Sequence, residues 1–111
     1  MSSITNTPTN EIIARSRLVT DLLASRFPAL RTRTKDLDKR GLAAAMGVSH
    51  ETIYRATRGV EEITATVARQ LVVFSHENQD AESLYLKDLL PFMFHDWDVV
   101  GEESDIDDLL A

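Results

Sequence analysis

The sequence predicts an all-α fold, a compact set of five helices followed by a helical, acidic C-terminal extension. Three observations carry that prediction. Apolar residues recur at three- and four-residue spacing in several segments. No segment alternates apolar and polar residues as a half-buried strand does. Residues with capping chemistry stand at the head of the apolar segments. With 111 residues, 43% of them hydrophobic, the chain fits one domain with a packed core and a tail.

The elements follow in order. Residues 1–9 are polar apart from Ile4, and the composition predicts disorder. Asn10 is a cap for a helix running to about Arg26, with Val19, Leu22, Leu23 and Phe27 on one face. Pro28 stops it. Residues 29–35, ALRTRTK, form a basic connector. Asp38 is the N-cap of a second helix, Lys39 to Met46, and Gly47 ends it. Ser49 caps a third helix in which Ile53 faces inward, and Gly59 closes it. Thr64 caps a fourth, whose apolar side is Val67, Ala68, Leu71, Val72 and Phe74. Residues 75–80, SHENQD, predict a polar break. Asp80 then caps a fifth helix carrying Leu84, Tyr85, Leu89 and Leu90, which Pro91 interrupts to start a short further helix, PFMFHDW. Residues 101–111 form an acidic, flexible tail.

The net charge of −6 conceals an asymmetry. Residues 26–58 hold eight Lys and Arg against three Asp and Glu, whereas residues 77–111 hold only Lys87 against eleven acids. Phosphate affinity follows local charge, so the basic middle segment keeps nucleic acid open as a partner. The sequence has no cysteine, which excludes a disulfide framework and a thiolate metal site and suits a reducing cytoplasm. The polar N-terminus has no signal-peptide pattern. No apolar run approaches the roughly 18–20 residues of a membrane span.

The stretch GLAAAMGVSHETIYRATRG, residues 41–59, meets the demands of a helix-turn-helix. Ala43 is small where two helices cross. Gly47 supplies the positive φ of the turn, Val48 plugs the core, and Ile53 anchors the second helix, with Leu42 and Met46 completing the contacts. The wheel of the third helix then sends Ser49, His50, Glu51, Tyr54, Arg55 and Arg58 outward. Over residues 36–59 this spacing resembles the helix-turn-helix of the λ-repressor/Cro (XRE-like) family, and the five-helix outline matches more loosely over residues 10–90. Two positions depart from the family pattern: Gly41 lies inside the second helix, and Ala56 is small where a larger inward residue is common.

The resemblance implies that the third helix enters the major groove and that its six outward residues meet base edges. Arg55 or Arg58 would pair with guanine O6 and N7, and Glu51 would accept from cytosine N4. Lys39 and Arg40 would lie at the DNA backbone, with Arg31, Arg33 and Lys35 adding phosphate affinity from the connector. Residues 10–79 would be the DNA-binding domain and residues 80–100 a helical dimerisation segment. There Tyr85, Phe92, Phe94 and Trp97, with Met93, make the densest aromatic stretch and an expected homodimer interface. The implied function is a dimeric transcriptional repressor of a phage or other mobile element, acting on double-stranded DNA.

No catalytic constellation, phosphate loop or cofactor signature is present in the sequence, and an enzyme is not expected. The HDWD stretch offers too few ligands for a metal, and the tail lacks the glycine and glutamate of a calcium loop. Other functions remain open. An antitoxin of the HigA type joins this helix-turn-helix to a surface for a basic toxin, and the acidic C-terminal third suits that partner. An interaction or anti-regulator module would use the same acidic third to bind a basic protein or mimic DNA. VSHETIYR, residues 48–55, is also similar to the targeting helices of transposases and resolvases.

Overall fold

A computed structural model of the chain describes residues 10–95. Over that span the chain folds into five helices with no strand: α1 (Asn10–Arg26), α2 (Lys39–Met46), α3 (His50–Thr57), α4 (Ala65–Glu77) and α5 (Leu86–Met93). The expectations for residues 1–9 and for the acidic tail lie outside the described residues, as does Trp97.

One core serves all five helices. Val19, Leu23 and Phe27 of α1 and its end, Leu42 and Ala43 of α2, Ile53 of α3, Leu71 of α4 and Leu89 of α5 are buried together. Leu84, in the loop before α5, is fully buried in the same cluster. Leu84 and Leu89 thus tie residues 80–95 to the main core. Phe27 and Phe74 meet at 5.5 Å between ring centroids, fixing the end of α1 against α4.

The N-caps of α2, α3 and α4 are those the sequence predicts. Asp38 accepts from the amide of Gly41 at 3.0 Å, Ser49 from that of Thr52 at 3.2 Å, and Thr64 from that of Val67 at 3.2 Å. Each bond satisfies an amide that the first helical turn leaves without a partner. Gly47 lies at φ 75°, and the Val48 amide closes the C-terminus of α2 on the Ala43 carbonyl at 3.0 Å. Gly41, unexpected inside a helix, has a specific reason. A Cβ there would stand 2.5 Å from Asp38 Oδ2, so glycine leaves room for the cap.

The connector between α1 and α2 is an ordered turn. A single antiparallel bridge pairs Arg31 with Leu37, and the Thr32 amide donates to the Asp36 carbonyl at 2.7 Å. Lys35 closes the turn at φ 69°.

The C-terminal third departs from expectation in three ways. First, α4 continues through Ser75, His76 and Glu77, which the sequence assigned to a polar break. Ser75 is buried, its hydroxyl donating to the Val72 carbonyl at 2.8 Å and accepting from the Leu84 amide at 2.8 Å. Second, α5 begins at Leu86, not after Asp80. The Asp80 amide is held in a turn by Asn78 Oδ1 at 2.9 Å, and it is Asp88 that turns back to the Tyr85 amide at 3.0 Å. Third, Pro91 lies within α5 and starts no new helix. Its missing N–H leaves only the Lys87 carbonyl without a helical partner, one turn into an eight-residue helix.

Candidate nucleic-acid interface

The junction of α2 and α3 is the three-residue turn Gly47-Val48-Ser49. Ala43 and Ile53 are buried where the two helices meet. On the inner side of α3, Ile53, Ala56 and Thr57 are buried. Ala56 is only 8% exposed and lines the cleft between α3 and the α3–α4 loop. The outer side is open: Ser49, His50, Glu51, Tyr54, Arg55 and Arg58 are all exposed. The structure thus brings the six residues expected to face outward onto one exposed row.

These residues are not independent. Arg55 pairs with Glu51 one turn earlier at 2.8 Å, both side chains well exposed. Arg58 pairs with Glu61 of the α3–α4 loop. The rings of His50 and Tyr54 lie 6.1 Å apart, and Lys39 Nζ stands 5.5 Å from the Tyr54 ring centroid. That contact joins the start of α2 to the exposed row of α3 through a cation–π interaction. Arg40 is exposed beside Lys39.

The connector residues divide. Arg31 is exposed, but its Nε donates to the Ala24 carbonyl at 2.8 Å, tying the turn to the end of α1. Arg33 and Lys35 are exposed. Among the described residues, Arg33, Lys35, Lys39 and Arg40 form no ion pair. The start of α2 thus offers Lys39 and Arg40 without a paired carboxylate, whereas the α4 flank of α3 carries Glu51, Glu61 and Glu62 around a cleft of about 260 Å³.

Two features escaped the sequence. Arg17 of α1 shares a groove of about 470 Å³ with Asp36, Lys39 and Arg58, so α1 contributes a cation at the end of α3. The α3–α4 loop is pinned beside α3 by Gly59, Glu62 and Ile63. Gly59 packs at φ 79° against the backbone of Ile12 and Ser16, Glu62 accepts from the His95 amide at 2.7 Å, and the Ile63 amide donates to the Phe92 carbonyl at 2.8 Å. None of these three loop contacts has a local sequence signal, since every partner lies more than 25 positions away.

The aromatic residues of the C-terminal third separate. Tyr85 is half exposed, its ring 5.3 Å from that of His76. His76 Nε2 lies 3.0 Å from the Leu84 carbonyl, holding the loop before α5. Phe92 and Met93 pack on the core. Phe92 also borders a groove of about 550 Å³ with Ala14, Leu18, Leu22 and Pro91, where Leu18 is 60% exposed. Phe94 is half-buried. Among the described residues, no group of His, Asp and Glu has the arrangement of a metal site, and no helix is long and apolar enough to cross a membrane.

Comparison of the chain with protein-family models, with curated proteins and with solved structures finds no match in any of the three.

Proposed function

We propose that the chain is a sequence-specific DNA-binding transcriptional regulator, a dimeric repressor of a phage or other mobile element, with a λ-repressor-like arrangement of its helices. The observation that carries this reading is the division of α3. One side is buried on α1 and α2, and the other presents Ser49, His50, Glu51, Tyr54, Arg55 and Arg58 in an exposed row after a three-residue turn. A helix of this kind fits the major groove, where Arg reads guanine and Glu reads cytosine. Lys39 and Arg40 flank it at the start of α2, where they would meet the DNA backbone.

The dimer would form through the apolar surface around Leu18 and Phe92 and through Phe94 and Trp97. Two-fold symmetry then sets two copies of α3 one turn of DNA apart, about 34 Å. The test is selection of bound fragments from a genomic library at physiological salt, followed by sequencing. A short palindromic motif is expected, with two chains per site by sedimentation. Recovery of fragments without a shared motif overturns the reading.

A further inference from the structure

Among the described residues, Arg58 and Glu61 form the one ion pair that links the exposed row of α3 to another element. Both side chains are near half-exposed, so neither charge is held by burial. What holds the pair is the backbone. Gly59, directly after Arg58, turns the chain at φ 79°. A Cβ there would lie 2.4 Å from the Ile12 carbonyl oxygen, so the turn is pressed on α1. On the far side, Glu62 and Ile63 are bonded to the end of α5 through the His95 amide and the Phe92 carbonyl. Glu61 stands between two anchored points. Its carboxylate is presented to Arg58 by a fixed loop.

We propose that Glu61 is a specificity-determining residue: it occupies the Arg58 guanidinium so that a phosphate gains little by replacing it. The inference rests on the DNA-reading role proposed above. A phosphate contact made by Arg58 exchanges one anion for another, and a cation already neutralised releases few counterions. A guanine edge offers more, because O6 and N7 match the planar fork of the guanidinium in two parallel bonds. Glu61 thereby weakens sequence-independent binding more than it weakens the correct contact, which raises the ratio between them. Glu51 engages Arg55 in the same manner but lies on α3 itself, where it can also meet a base. Glu61 lies off the helix, which makes it the clearer case. Lys39 and Arg40, without carboxylate partners, remain the residues that supply phosphate affinity.

The experiment titrates the full chain with a mixed-sequence duplex of about 20 base pairs at several salt concentrations, comparing wild type with Glu61→Gln. It repeats the comparison in the Arg58→Ala background. Glu61→Gln is expected to steepen the slope of log K against log salt by about 0.9, the value for one freed cation on a duplex. Nonspecific affinity at low salt is expected to rise roughly 1.5- to 5-fold, the range that exposed ion pairs contribute. Neither change is expected when Arg58 is absent. An unchanged slope in Glu61→Gln, with wild type binding the duplex, overturns this inference and leaves the DNA-reading role intact. An equal gain in the Arg58→Ala background also overturns it, because the carboxylate would then act through the general field of the protein. Failure of wild type to bind any duplex overturns both.

Discussion

The Ser16 hydroxyl donates a hydrogen bond of 2.7 Å to the Thr57 carbonyl, joining the middle of α1 to the last turn of α3. The carbonyls at a helix C-terminus have no partner within the helix. Here α1 supplies them: Ser16 to Thr57, and Arg15 Nε to the Gly59 carbonyl at 3.1 Å. Thr57 itself is fully buried, its hydroxyl donating to the Ile53 carbonyl at 2.9 Å. The short α3 is therefore fixed at both ends, by Ser49 at the start and by α1 at the finish. Eight residues are too few for a stable isolated helix, so its form depends on this docking.

Replacing Gly59 by Ala should be among the most damaging single changes in the chain. The positive φ alone disfavours a side chain, and the Cβ would meet backbone of Ile12 and Ser16 that cannot move aside. Together these effects should cost roughly 2–5 kcal/mol. Ser16→Ala removes one hydrogen bond without a clash and should cost about 1 kcal/mol. Urea denaturation of the two variants checks both the size and the order. Equal midpoints for Gly59→Ala and wild type would mean that α3 does not dock on α1 at this point.

Ala43→Leu tests the α2–α3 crossing. Ala43 is 2% exposed, and the Val48 amide bonds its carbonyl at the turn. A larger side chain has no room there and should destabilise the fold by about 1–3 kcal/mol. Thermal unfolding followed by circular dichroism measures it, and an unaltered midpoint would contradict close packing of the two helices.

Elements whose ends are written in adjacent residues were legible in the sequence. Asp38, Ser49 and Thr64 cap because a short oxygen-bearing side chain reaches an amide two or three residues on, and Gly47 ends α2 because few other residues adopt its φ. The exposed row of α3 was legible for the same reason, since Ile53 alone fixes the rotation of an eight-residue helix. The start of α5 was not. Asp80 has capping chemistry, but Ser75 and His76 hold the loop before α5 through Leu84, eight or nine residues away. That contact depends on where α4 and the loop meet in space. The pairing of Arg58 with Glu61 was hidden because it depends on how the chain turns after Gly59, and the approach of Arg17 because it depends on how α1 packs beside α2 and α3.

Ser75→Ala should expose the weight of that missed contact. The hydroxyl accepts from the Leu84 amide in a buried setting, and alanine would leave that N–H without a partner. The loss should be about 1–3 kcal/mol. Amide hydrogen exchange should locate it, with Leu84 losing protection first. Protection of Leu84 equal to that in wild type would show that the amide finds another acceptor.

Arg55→Ala and Arg58→Ala address the exposed row directly. Both side chains are exposed and their ion pairs contribute at most about 1 kcal/mol, so helix content should be unchanged. A lost guanine contact should weaken binding to the selected operator by roughly 1–3 kcal/mol for each residue that makes one. Fluorescence anisotropy with the operator duplex measures the loss. Wild-type affinity in both variants would remove α3 as the reading element.

Deletion of residues 102–111 tests the charge asymmetry of the chain. The segment carries Glu102, Glu103, Asp105, Asp107 and Asp108 and no basic residue, on the same chain as a segment of eight Lys and Arg. Tethering would keep these carboxylates at high effective concentration near cations that Glu51 and Glu61 do not engage, such as Lys39 and Arg40. They would then compete with phosphate for those side chains. The competition is Coulombic, and screening shortens its range from about 10 Å at 0.1 M salt to about 3 Å at 1 M. The truncated chain should therefore bind a nonspecific duplex more tightly than the full chain at low salt and equally at high salt. Its salt slope should be the steeper of the two, because phosphate rather than carboxylate would neutralise the basic residues. Matching affinities at low salt would show that the acidic segment does not compete with DNA, and would leave a basic protein as the partner its charge suits.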